Sequence, residues 1–171
     1  MSLTSQAVNC GVNWKRSLQQ CSGWSLVRVA FPPKVMEIST TPEELCSLLV
    51  EAVRYGARAP ELEKHVPDLV EKLCPHTRSA GRTVGERAID AENQIKQAAG
   101  DLDDENLAGC VLALLALVPG TYRKGIGERC EIAGRFLGVG PSTTTPKEFR
   151  RQVLKHLAAA LYRRLQGREY M

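Results

Sequence analysis

From Thr41 onward, apolar residues recur at three- and four-residue steps, the spacing that gives each helix one buried face. Leu45, Leu48, Leu49, Ala52 and Val53 form the first stripe. Thr41-Pro42-Glu43-Glu44 precedes it with a capping hydroxyl, a proline suited to the first turn and a glutamate able to close a capping box. Gly56 and Pro60 end it. Leu62, Val66, Leu69, Val70 and Leu73 supply a second stripe over Glu61 to Leu73, and Pro67 predicts a break or kink near Val66. Cys74-Pro75 stops it. A third helix is predicted over Val84 to Ala99, lined by Val84, Ala88, Ile95 and Ala99, with Gly100 as its C-terminal stop.

Asp101, Asp103, Asp104 and Glu105 then place negative charge where a helix start favours it. The helix that follows is apolar on every side and ends at Pro119-Gly120, so the pattern predicts a central position with other helices around it. Two further helices are expected. One spans roughly Gly127 to Leu137. The other starts at Thr145-Pro146-Lys147-Glu148, with Phe149, Val153, Leu157, Ala160 and Leu161 as its buried stripe. Period-two alternation bounded by turns is absent, so no strand is predicted. The reading is an all-α compact bundle of about five or six helices over residues 37–168.

Residues 1–36 differ. Gly, Ser, Gln and Asn are frequent, periodicity is lacking, and Pro32-Pro33 closes the segment, which predicts a disordered or weakly ordered tail. Met36 is a candidate alternative start of translation, and intact mass would decide it.

Charge sharpens the division. Residues 1–36 carry four basic groups and no acidic ones. Residues 37–120 hold 8 Lys/Arg against 15 Asp/Glu, a net of −7, and residues 121–171 hold 11 against 4, a net of +7. An acidic middle and a basic end point to docking of the two parts on each other or on a second copy, or to a polyanion held by the basic end. The six cysteines are widely spread and no signal peptide precedes them, so free thiols in a reducing cytoplasm are expected rather than a disulfide framework. Leu107–Val118 covers 12 residues against the about 20 that a membrane span needs, which predicts a buried helix and no membrane partner.

Candidate chemistry is thin. Cys74-Pro75-His76 offers two metal ligands where structural zinc needs four. Gly125-Ile126-Gly127 and Gly138-Val139-Gly140 complete no dinucleotide or phosphate-loop fingerprint and suit turns. No paired acid and base or nucleophile setting is present, so neither catalytic residues, nor a metal, nor a cofactor are expected.

The informative segment is Glu128 to Arg151. In Ile132-Ala133-Gly134-Arg135-Phe136-Leu137-Gly138-Val139, a small residue, Gly134, stands four positions before a turn glycine, Gly138, and Val139 would plug the angle between two helices. Thr144, six positions beyond Gly138, takes the place of a core residue of the second helix. Pro146 predicts that this helix begins late, near Thr145. The segment resembles a helix-turn-helix-like helical module of actinobacterial regulatory and signalling-associated proteins. The matching residues are Leu114 through Thr121, Ile132 through Val139, and Leu157 through Tyr162; Gly140 and the Thr143-Thr144-Thr145-Pro146 insert depart from that pattern. The resemblance implies a helical regulatory module and covers the C-terminal third to half of the chain. Lys147, Arg150, Arg151 and Lys155 are the candidate contacts. Toward DNA, Arg150, Arg151 and Lys155 would hold phosphate, with Lys147 and Arg151 placed to reach bases. The alternative is a non-enzymatic adaptor that grips an acidic protein partner or forms a homodimer with the same residues.

Overall fold

The computed structural model describes residues 40–79, 81–144 and 147–167. The expected tail over 1–36, the start at Met36 and the capping pair Thr145-Pro146 lie outside the described residues. Eight α-helices and no strand occur among the described residues, so the chain is an all-α bundle. Helix α1 spans Pro42–Tyr55, and Thr41 Oγ1 accepts from the Glu44 N–H at 3.2 Å. Its stripe is buried at Leu45, Leu49, Ala52 and Val53, with Leu48 at the margin. Pro67 divides the second stretch as its missing N–H and its ring require, giving α2 (Ala59–His65) and α3 (Pro67–Leu73) with a non-helical Val66 between them. A 3-10 turn, His76–Arg78, follows. Helix α4 (Val84–Gly100) opens with a complete capping box between Thr83 and Glu86. Its buried Arg87 and Gln94 donate to the Cys74 and Leu73 carbonyls, satisfying the end of α3.

Helix α5 (Glu105–Leu114) starts where Asp104 accepts from the N–H groups of Asn106 and Leu107, and it stops earlier than Pro119. Ala116 adopts φ 59°, Ala116 N–H donates to Ala113 O, and Leu117 N–H donates to Leu112 O at 2.8 Å. That is a Schellman end with alanine where glycine is usual. The left-handed alanine is held from across the bundle. Ala57 N–H donates to Leu115 O at 2.8 Å, and a Cβ on Gly56 would lie 3.2 Å from the Ala116 Cβ. Helix α5 packs on α4, α6 (Ile126–Leu137) and α8 (Lys147–Gly167). It is not enclosed on all sides, since Leu107, Ala108 and Leu112 stay half-buried while Cys110, Val111, Ala113 and Leu114 are buried. A one-turn helix α7 (Pro141–Thr144) precedes α8. The split at Val66 and this extra turn raise the count above the five or six read from periodicity.

Helices α1 and α8 pack along each other in opposite directions. The Cys46 thiol faces the Arg151 carbonyl at 3.6 Å, while residues Ser47 to Arg54 share a cleft with Lys147 and Arg150. No helix of the described residues is long and apolar enough to cross a membrane.

Cys46, Cys110 and Cys130 are free and buried, and Cys74 is buried as well. Burial pushes the Cys46 and Cys130 thiols up and the Cys110 thiol from 9.0 to about 12. A thiol whose folded pKa is raised stays protonated while its unfolded counterpart ionises, so its contribution holds below pH 9 and is lost as pH rises from there toward 12. Urea midpoints should fall between pH 9 and 11, and Cys110→Ala should flatten that fall. An unchanged slope in Cys110→Ala would assign the alkaline loss to other groups.

Candidate basic interface

The four predicted cations stand in the first three turns of α8. Lys147, Arg151 and Lys155 are exposed and Arg150 is half-buried. Among the described residues, no carboxylate pairs with any of them. Elsewhere the chain does form pairs, including Lys72–Glu44, Lys96–Glu92 and Arg164–Asp101. The acidic middle and basic end therefore meet at Arg164, which also donates to Gln97 Oε1 at 2.8 Å, and not at the four candidate residues.

Helical spacing divides the four. Lys147 and Arg150, three apart, line a cleft of about 520 Å³ with Ser47, Val50, Glu51, Val53, Arg54 and Ile126. Arg151 and Lys155, four apart, lie beside α1 at Cys46, whose thiol both cations pull down against the larger upward effect of burial.

Gly134 and Gly138 make the corner expected of them. Gly138 caps α6 at φ 66°, with Val139 N–H donating to Gly134 O at 2.9 Å. A Cβ on Gly134 would lie 2.6 Å from Val139 O and 3.2 Å from Thr144 Cγ2. Thr144 is 0% exposed, so it occupies the core position that its distance from Gly138 predicts. The expected late start near Thr145 is corrected in one respect. The backbone re-enters a helix at Pro141, which needs no N–H partner in a first turn, and α7 lasts one turn before α8 begins at Lys147. Val139 is half-buried in the angle.

Two features escape the sequence. Arg129, one of the 11 basic residues of the segment 121–171, is 3% exposed. Its Nη1 donates to Leu114 O at 2.8 Å and its Nη2 to Arg54 O at 3.3 Å. Those carbonyls end α5 and α1, where aligned peptide dipoles leave negative partial charge, so two helix termini replace a carboxylate partner. The signal was present: Arg129 stands four residues before the buried Ala133, on the same side of α6. Burial lowers its pKa first, and the charge of Arg150 lowers it further. The second feature is Tyr122, 49% exposed, with the Arg58 and Arg123 guanidiniums 5.3 and 5.0 Å from its ring centre. Cation and ring attract through the ring quadrupole. Arg58 is distant in sequence from Tyr122 and Arg123, and only the fold brings it to the ring.

Elsewhere, Gln94 Nε2 lies 2.9 Å from the buried Cys74 Sγ, while His76 is exposed. No group of three or more His, Cys, Asp or Glu placed to hold a metal occurs among the described residues. No protein-family model, curated protein or solved structure matches the chain.

Proposed function

We propose that the chain is a non-enzymatic, cytoplasmic regulatory module that binds DNA through the start of α8, with Lys147, Arg150, Arg151 and Lys155 on the phosphate backbone. The observation that carries this reading is the absence of any ion pair on these four cations among the described residues, in a chain where several carboxylates pair elsewhere. Phosphate is the anion they are left to meet. The corner at Gly134, Gly138 and Thr144 supports it, since a small residue, a left-handed glycine and a buried residue six positions on are the parts of a helix-turn-helix. Because α7 is one turn long, contact rests on the first turns of α8 and on backbone phosphate more than on base edges.

Mobility-shift titrations of duplex DNA at several salt concentrations test it. Four phosphate contacts predict that log K falls with log salt at a slope of about −3 to −4, and Lys155→Gln should reduce the slope by about 1. Absence of binding at low salt overturns the reading.

A second reading, a homodimerising adaptor, is favoured by one observation. Phe136 is 37% exposed beside the half-buried Gly109, an apolar surface open to solvent. A dimer in equilibrium sedimentation together with no DNA shift would select it.

A further inference from the structure

The cleft between α1, the start of α6 and the start of α8 has the composition of a ligand site. Its volume of about 520 Å³ lies in the range of small-molecule pockets. Its wall carries three cations, Arg54, Lys147 and Arg150, and one carboxylate, Glu51. None of these four is ion-paired among the described residues, so the cleft keeps a net charge of +2. Val50, Val53 and Ile126 supply an apolar side.

A second observation points to an anion independently. The charge of Arg150 lowers the pKa of Arg129, after the larger downward effect of burial and against the upward pull of Cys130, and no carboxylate among the described residues pairs with either guanidinium. Both have an Nε that is buried without a hydrogen-bond partner. Arg129 is 3% exposed and its charge is met by carbonyls alone. Two like charges, one buried and one half-buried, repel at a free-energy cost that an arriving anion would offset.

We propose that this cleft binds a small soluble phosphomonoester with an apolar body. The dianionic head would lie on Lys147, Arg150 and Arg54, and the body on Val50, Val53 and Ile126. A phosphomonoester carries about −1.5 to −2 at neutral pH, which matches the cleft's net charge, and arginine offers phosphate a two-pronged fork. Glu51 disfavours heads of higher charge. Lys147 and Arg150 also belong to the proposed DNA contact, so the ligand and DNA compete for them; that consequence rests on the DNA reading, whereas ligand binding does not.

The test is calorimetric titration of the full chain, without DNA, using phenyl phosphate, inorganic phosphate and phenol as probes. Phenyl phosphate should bind about tenfold tighter than inorganic phosphate, because the ring adds buried apolar area, and phenol should not bind measurably. Arg150→Gln should weaken phenyl phosphate by about tenfold or more. Ile126→Asn, at a position 37% exposed, should bring phenyl phosphate and inorganic phosphate to similar affinity. Thermal melts of each variant separate loss of the site from loss of the fold. Equal affinity for the two phosphates in the unaltered chain, or binding of neither, overturns the proposal. Phenyl phosphate binding with no DNA shift removes the DNA reading alone. A DNA shift with no phenyl phosphate binding removes the cleft proposal alone. Where both bind, phenyl phosphate should raise the DNA concentration needed for half-shift.

Discussion

Replacing Gly134 with leucine should lower the unfolding free energy by about 3 kcal/mol or more, the cost of overpacking at a site whose neighbours cannot yield. The first atom added, a Cβ, would fall 2.6 Å from Val139 O and 3.2 Å from Thr144 Cγ2. The oxygen belongs to the backbone just beyond a closed Schellman turn, in which Val139 N–H donates back to Gly134 O itself. Thr144 is fully buried, so its methyl has nowhere to retreat. The larger side chain must therefore separate α6 from α7. Gly138→Ala is the informative contrast. Nothing lies near a Cβ there, and only the left-handed φ of 66° is strained, so a loss of about 1 kcal/mol is expected. Urea denaturation followed by far-ultraviolet dichroism measures both. A Gly134→Leu midpoint no lower than that of Gly138→Ala would show that the corner is looser than described.

Arg129→Ala should cost about 4 kcal/mol, from a cavity plus two carbonyls left without donors. The opposing effect is relief of a buried charge and of its repulsion with Arg150, and it limits the loss. The carbonyls of Leu114 and Arg54 decide the sign. They are terminal acceptors of α5 and α1, reached by Arg129 at 2.8 and 3.3 Å. Arg129→Lys keeps the charge but lacks the planar fork that reaches two helix ends at once, so it should recover about half of the loss. The same denaturation series checks the order wild type, Lys, Ala. Stability of Arg129→Ala within about 0.5 kcal/mol of the unaltered chain would mean that water replaces the guanidinium at both helix ends.

Much of the helical organisation was legible because its causes are local. Thr41 and Thr83 show it, each accepting from the glutamate N–H three residues on. Pro67 breaks its helix for reasons contained in its own ring. Gly138 ends α6 because a glycine accepts positive φ without a Cβ penalty. The end of α5 was misread at Pro119 because its stop is an alanine, and no local rule picks alanine for a left-handed site. Ala116 holds that conformation because Ala57 binds the adjacent carbonyl and Gly56 leaves room beside it. The candidate site was half legible. Lys147, Arg150, Arg151 and Lys155 could be named from charge and from their place at a helix start. Their division between a cleft and a flank needed the position of α1.

Short-range chemistry in the chain settled where helices start, which side of each is oily and where positive charge gathers, since caps, prolines and three- and four-residue spacing act within a few residues. Whether a given cation faces water, a helix end or a cleft was settled by packing between segments far apart in sequence. Arg129 and Arg150 belong to one basic stretch of the chain; the first is buried against the ends of α1 and α5 and the second lines an open cleft. The physical reason is that burial and electrostatic partnership depend on distance in space, and spacing along one helix does not encode the position of another.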